Sequence, residues 1–262
     1  MKVGVPKEIV SNERRVALAP DIVKKLIETG VEVLVEKGAG EAASLLDSAY
    51  QEAGCKIVAD AAAVYKDSDV ILKVQKPEPA EVKMLKEGTV FITSLQPLVN
   101  HDLVKELTQK KVTSFSMDAI PRISRAQRMD SLSSMSSIAG YEAVLIGASK
   151  LGKYMPMMMT AAATMPPAKV LVLGAGVAGL QAIATARRLG ALVEAFDVRP
   201  VVKEQVESLG ATFVELEETA DAEDAGGYAK ELSADHQQRE VELISKHAMA
   251  SDVVITTALI PG

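Results

Sequence analysis

Large aromatic side chains are scarce in this chain: it has no tryptophan, and aromatic residues make up 3% of its 262 positions. A stacking platform for single-stranded nucleic acid needs several such rings, so that class is excluded. Basic charge is not in excess either. The net charge is −6 and spread along the chain, whereas a nucleic-acid face needs clustered lysine and arginine. No nucleic-acid partner is expected. Cysteine occurs once, as Cys55, which rules out an internal disulfide and a cysteine-rich zinc site and fits a reducing compartment. The three histidines, His101, His236 and His247, lack partners at metal-ligand spacing, so no metal is expected and a surface placement is. No uninterrupted apolar run approaches the ~18–20 residues of a membrane helix. The opening MKVGVPKE turns polar at once, unlike a signal peptide. Any membrane role must come through a partner.

What the chain has in plenty is short apolar runs. VGV near the start, VEVLVE at 31–36, DVILKV at 69–74, TVFITS at 89–94 and VTSFSM at 112–117 read as strands. Between them Asp21–Thr29 has helical spacing and a Gly30 stop, and Asp60–Tyr65 and Pro79–Lys86 read as helices, the latter opened by proline. Ser137–Met159 reads as one long helix, with Ile138, Tyr141, Val144, Leu145, Ala148 and Leu151 at three- and four-residue steps. A second series follows: strand Lys169–Leu173, helix Ala178–Leu189, strand Leu192–Asp197, helix Val201–Leu209 and strand Thr212–Glu215. After a polar stretch, Glu217–Asp235, come a helix near Arg239–Ala250 and a strand Asp252–Thr256.

This alternation predicts an α/β fold of two Rossmann-like, mostly parallel-sheet domains with a cleft between them. The expected bounds are 1–125 for the first domain, 126–137 for a polar loop and 138–262 for the second. Cys55 reads as a small core residue and Met155–Met159 as packing for the core or a subunit contact. A doubly wound sheet usually continues beyond a strand such as Asp252–Thr256, so the chain is expected to be one piece of a longer polypeptide.

Gly174-Ala175-Gly176-Val177-Ala178-Gly179 forms a GxGxxG turn between an apolar strand and a helix. Gly174 suits the tight turn, Gly176 lets backbone approach a pyrophosphate, and Gly179 lets helix pack on strand. The helix start offers unpaired N–H groups to the phosphates. Ala175 and Val177 complete the turn. Asp197 lies about 20 residues on, at the end of the next strand, where it can hold the adenosine ribose hydroxyls. A carboxylate there repels a 2′-phosphate and favours NAD over NADP. Arg199 nearby could accept that phosphate, so both readings stand at this point.

Pro121–Tyr141, PRISRAQRMDSLSSMSSIAGY, gathers Arg122, Arg125, Gln127, Arg128, Asp130 and several serines, Ser133 among them. With few large apolar side chains it cannot be held by core burial, and it fits polar ligand contacts. It closely resembles the Arg–Gln–Asp loop of the NAD(H)-binding domain of the proton-translocating nicotinamide nucleotide transhydrogenases. ERRVALAP at 13–20, ILKVQKP at 71–77, GAGVAGLQAI at 174–183, FDVRPVVKEQVESLGA at 196–211, GGYAKELS at 226–233 and VITTALIPG at 254–262 resemble the same family. The likeness covers nearly the whole chain.

The resemblance implies that Arg122, Asp130 and Ser133 contact the nicotinamide end of NAD(H). It implies that Gln127 reaches toward NADP(H) on a partner domain, with Arg122, Gln127 and Asp130 as the catalytic set. Tyr228 would sit on a loop that closes over NAD(H). The resemblance also implies a homodimer that docks an NADP(H)-binding domain carried by a membrane-spanning subunit, on the cytoplasmic face. Hydride would pass directly between two nicotinamides, Re/Si-specifically, coupled to proton translocation in the partner.

Some of the same segments are shared loosely with alanine dehydrogenase, where Arg15 and Lys73 match positions that bind and polarise the keto acid. That chemistry also needs a histidine acid–base just after the next strand. Gln96 stands in its slot, and an amide cannot shuttle a proton. Hydride transfer between two nicotinamides needs no such group. Two alternatives remain at this stage: an alanine dehydrogenase-like enzyme, and a non-catalytic NAD-sensing module.

Overall fold

A computed structural model describes residues 1–121, 123–216 and 234–258, with the side chains of 234–237 excepted. The chain divides into two compact units, Met1–Leu132 and Ser133–Gly262. Among the described residues no helix is long and apolar enough to cross a membrane.

The first unit runs β1 (Lys2–Val5), α1 (Pro20–Glu28), β2 (Glu32–Glu36), α2 (Asp47–Glu52), β3 (Lys56–Val58), α3 (Ala61–Asp67), β4 (Val70–Leu72), α4 (Pro79–Met84), β5 (Val90–Thr93), α5 (His101–Gln109) and β6 (Thr113–Ser116). Its strands form one parallel sheet in the order β3-β2-β1-β4-β5-β6. Because helices cover a parallel sheet on both faces, its central strands are apolar at successive positions rather than alternating. Val33, Leu34 and Val35 are accordingly all buried. Local signals set the helix starts. The Asp60 carboxylate accepts from the Ala63 N–H at 2.8 Å ahead of α3, and Glu78 and Glu81 form a capping box at the start of α4. Tyr50 and Cys55 are buried in the core, and burial pushes the phenol up to about 12 and the thiol to about 11.

Elements α2, β3 and α5 are absent from the sequence reading. β3 is only three residues long, and α2 and α5 are short helices carrying mostly polar residues. α2 and β3 are too short to show a period, and packing against the sheet decides them; α5 does carry a helical step, Leu103 to Leu107, set among polar residues.

The second unit opens with α6 (Ser131–Lys150), which begins in the first. It continues with β7 (Met158–Met159), β8 (Thr164–Met165), β9 (Lys169–Leu173), α7 (Val177–Arg188), β10 (Leu192–Phe196), α8 (Lys203–Ser208), β11 (Thr212–Phe213), α9 (Ala234–Met249) and β12 (Val253–Thr256). Four strands pair in parallel in the order β11-β10-β9-β12, and β7 and β8 form a separate antiparallel pair. The core gathers Val170, Val172, Ile183, Ala186, Val193 and Ile255 with Val144 of α6.

The long helix differs from the expected 137–159. It starts at Ser131 and stops at Lys150. Serines are tolerated in a first turn, where they compete with no established ladder. Gly152 and Pro156 then disfavour continuation past Lys150. The methionine run is split accordingly: Met155 is buried, while Met157 and Met159 are 58% and 74% exposed beside the β7–β8 pair. α6 seats directly on the start of α7. A Cβ at Gly140 would lie 2.0 Å from the Ala178 carbonyl oxygen, so the contact requires a residue without one.

Candidate functional site

In an open parallel sheet, ligands bind beyond the carboxyl ends of the strands where the strand order reverses. In the second unit that point lies between β9 and β12, and the glycine turn follows β9. Gly174 sits at φ 99°, a left-handed conformation that glycine adopts at little cost. A Cβ at Gly179 would lie 1.8 Å from the Gly174 carbonyl oxygen, which explains the third glycine. At Gly176 a Cβ would meet no atom within 4 Å, so the middle of the turn faces open space. Gly176 is the N-cap of α7 and supplies no side-chain cap. The first N–H groups of α7, at Val177 and Ala178, therefore face outward with a positive dipole end behind them.

Asp197 lies one residue past β10. Its Oδ2 accepts from the Ala175 N–H at 2.7 Å, and its Oδ1 accepts from the Arg199 N–H at 2.9 Å. The Arg199 guanidinium adds contacts of 3.0 and 3.1 Å. Burial alone raises the Asp197 pKa, but Arg199 and the two N–H groups outweigh it and hold the carboxyl below its ordinary range. The structure therefore brings together Gly174, Ala175, Gly176, Val177, Gly179, Asp197 and Arg199. Ala175 has a buried side chain and an N–H already committed to Asp197. Donation from the turn to an anion falls to Gly176 and Val177.

The polar loop folds as a 3₁₀ segment, Ser124–Met129, pinned by the buried Ala126. Arg125, Gln127 and Arg128 are exposed, Asp130 is half-buried, and Ser133 is half-buried in the first turn of α6. Arg122 and Tyr228 lie outside the described residues. His101 is exposed, and the side chain of His236 is not described. His247 departs from the surface expectation. It is half-buried, and its Nδ1 lies 2.7 Å from Glu194 Oε2, joining α9 to β10.

The first sheet reverses between β1 and β4, and its crevice holds different chemistry. Lys73, directly after β4, has a fully buried side chain paired with Glu8 at 3.2 Å and Glu81 at 2.6 Å. Tyr65 donates its hydroxyl to Glu81 at 3.2 Å, and Glu8 accepts from the Val74 N–H at 2.6 Å. Glu13 accepts from Gln75 at 2.6 Å and pairs with Arg15, also at 2.6 Å. Arg15 holds the Glu13 carboxyl down at about 2. Glu8 and Glu81 were not legible as partners of Lys73, because only the folding of the loop after β1 and of α4 onto the end of β4 brings the three together. Gln96, just past β5, has φ 48°, and its backbone N–H donates to Asp118 at 3.1 Å.

Residues 4–139 match the family described as alanine dehydrogenase/PNT, N-terminal domain, and residues 143–262 match its C-terminal domain. The chain belongs to the alanine dehydrogenase/PNT family. Within that family it is 51% identical over 269 residues to the first portion of the NAD(P) transhydrogenase alpha subunit of Rhodospirillum rubrum, spanning all of this chain and 70% of that one. A solved transhydrogenase from Sinorhizobium meliloti superposes with a TM-score of 0.90 at 45% identity, over all of this chain and 70% of the other. Alanine dehydrogenase 2 of Staphylococcus aureus is 35% identical over 265 residues, spanning all of this chain and 65% of its own. This member of the alanine dehydrogenase/PNT family thus stands nearer to transhydrogenase alpha subunits than to that dehydrogenase. Its two Rossmann-like units agree with the fold expected from the sequence.

Proposed function

We propose that this chain is the NAD(H)-holding component of a proton-translocating NAD(P) transhydrogenase. The observation that carries the reading is the β9–α7 turn. Its middle is open at Gly176, its helix start is uncapped, and the Asp197 carboxylate stands at its side. These groups fit a dinucleotide: N–H donors for a pyrophosphate and a carboxylate for ribose hydroxyls. Asp197 disfavours a 2′-phosphate by charge, which supports NAD(H) here and NADP(H) on a partner.

When bound, the dinucleotide supplies a hydride to, or takes one from, a second nicotinamide. The protein's own contribution is placement. Gly176 and Val177 donate to the phosphates, and Asp197 fixes the adenosine ribose. Arg122, Asp130 and Ser133 are assigned to the nicotinamide end, Gln127 to the nucleotide of the partner, and Tyr228 to closing over the site. No residue need exchange a proton with the reacting carbons, so orientation and water exclusion carry the rate. Proton translocation belongs to a membrane-spanning partner, and the chain acts at the cytoplasmic face of that membrane. A homodimer is part of this reading, and the exposed Ile138, Tyr141, Ile146, Met157 and Met159 offer apolar surface for it.

Amino-acid dehydrogenation fares worse on the same observations. Gln96 offers an amide where an acid–base is needed, and Lys73 is sealed between two carboxylates. A titration with NADH and NADPH, with and without a recombinant NADP(H)-binding domain, tests the reading. Tighter NADH binding and partner-dependent hydride transfer are expected. Turnover of alanine to pyruvate without a partner would overturn it, and binding without transfer in the partner's presence would leave a sensor.

A further inference from the structure

The peptide joining Gly174 to Ala175 is held on both sides. Its N–H end is tied to Asp197 beyond β10. Its carbonyl end accepts a hydrogen bond, at 2.9 Å, from the hydroxyl of Thr257, the residue that follows β12; the same hydroxyl stands farther, at 3.3 Å, from the Leu173 carbonyl, so Gly174 is its main acceptor. β10 and β12 are the two neighbours of β9 in the sheet, so the turn is anchored to the strand on each side of it. Thr257 is well fixed for this task. Its own N–H continues the ladder to the Leu173 carbonyl at 2.8 Å, and it is half-buried. A Cβ at Gly174 would lie 2.8 Å from the Thr257 oxygen, and one at Gly179 would lie 3.0 Å from it, so the hydroxyl fits against the turn with no room for water between.

We propose that Thr257 is a positioning residue for the phosphate-binding turn. It has no ligand contact of its own. By holding the Gly174 carbonyl it fixes the plane of the 174–175 peptide, and that plane sets the direction in which the next N–H groups, of Gly176 and Val177, point. With the hydroxyl removed, the Gly174 carbonyl loses its partner in a packed position and the peptide gains freedom to rotate. The donors then have to be ordered at the moment of binding, which weakens affinity. The adenosine end rests on Asp197, which keeps the Arg199 backbone N–H at 2.9 Å when the Ala175 contact loosens, so it shares little of this cost. The proposal rests on the dinucleotide reading above and names a determinant within that site.

The test is a set of titrations on the full 262-residue chain, comparing the unaltered protein with Thr257→Val and Thr257→Ser. NADH binding is followed by its fluorescence, and ADP-ribose and adenosine by displacement. Thr257→Val keeps the shape and removes the hydroxyl. It should weaken NADH and ADP-ribose about tenfold and adenosine by less than about twofold, while Thr257→Ser restores most of the loss. In the free protein, Thr257→Val should also speed hydrogen exchange at the Ala175 amide. Thr257→Ala serves as a second variant should the valine protein fail to fold. Unchanged NADH binding, an equal loss for adenosine, or no rescue by serine would each overturn the role of Thr257. An unaltered protein that binds neither NADH nor ADP-ribose would instead remove the dinucleotide reading, and this proposal with it.

Discussion

The two sheets reverse strand order in the same way, yet their crevices do opposite things. In the second unit the loop after β9 withdraws side chains: three glycines leave backbone N–H groups facing open space. In the first, the loops after β1 and β4 and helix α4 fill the corresponding point with Glu8, Lys73 and Glu81, with Tyr65 beside them. One crevice is an opening edged with donors, and the other is a plug in which one buried cation is held between two carboxylates. The shared topology supplies a place, and the side chains there decide whether it binds.

The largest effect should come from breaking the plug. Lys73→Met leaves two carboxylates buried without their cation, which costs about 3–5 kcal/mol of stability. Denaturant unfolding should show it, while NADH affinity measured well below the unfolding transition stays as it was. Adding Glu8→Gln and Glu81→Gln should recover some of the loss. A plug variant of normal stability, or one with selectively impaired NADH binding, would erase the contrast between the crevices.

Next is Gly179→Val in the open crevice. The added side chain cannot fit beside the Gly174 carbonyl, so the turn must shift. Overpacking of this kind costs about 1–3 kcal/mol, and NADH binding should drop about a hundredfold because the donors move with the turn. Binding close to that of the unaltered protein would show that the turn is not the phosphate site.

Asp197→Asn sharpens the comparison further. Losing hydrogen bonds to a charged acceptor should weaken NADH about tenfold or more. NADPH, no longer repelled, should weaken less, narrowing the gap between the two cofactors in parallel titrations. A widened gap would mean that Arg199, not Asp197, sets the preference.

The smallest effect concerns pH. Glu13 is held at about 2 against an ordinary 4.5, chiefly by Arg15. A carboxyl lowered in the folded state contributes its full stability above its unfolded pKa and loses it as pH falls through the folded one. The window is therefore from about 4.5 down to about 2. Arg15 is partly exposed, so solvent screening keeps the contribution to roughly 1 kcal/mol or less. Acid unfolding followed by circular dichroism should show a shallower limb in Glu13→Gln over that window.

This contrast explains what could be read from the sequence. The open crevice was legible because its chemistry is local: the glycines are closely spaced, and Asp197 follows at the end of the next strand. β9 and β12 were legible as apolar runs bounded by polar residues. The plug was not, because Lys73 after β4, Glu8 after β1 and Glu81 in α4 meet only in the folded unit, and the one local pattern among them, the Glu78–Glu81 capping box, says nothing of Lys73. Thr257 was hidden for the same reason, its partner lying beyond the neighbouring strand. The end of α6 was misplaced because apolar spacing continues to Leu151 and methionines follow, while Gly152 and Pro156 stop the helix.

The carboxylate of Asp197 accepts four hydrogen bonds, three of them from Arg199 and one from Ala175. That fills about all the lone-pair positions a carboxylate has. A ribose proposed to bind this group could not simply add to it; it would have to take the place of the guanidinium. On the dinucleotide reading, capture at this group would be a substitution with a built-in leaving group. Arg199 keeps the carboxylate charged and aimed, and its departure would then enter both the rate and the strength of capture.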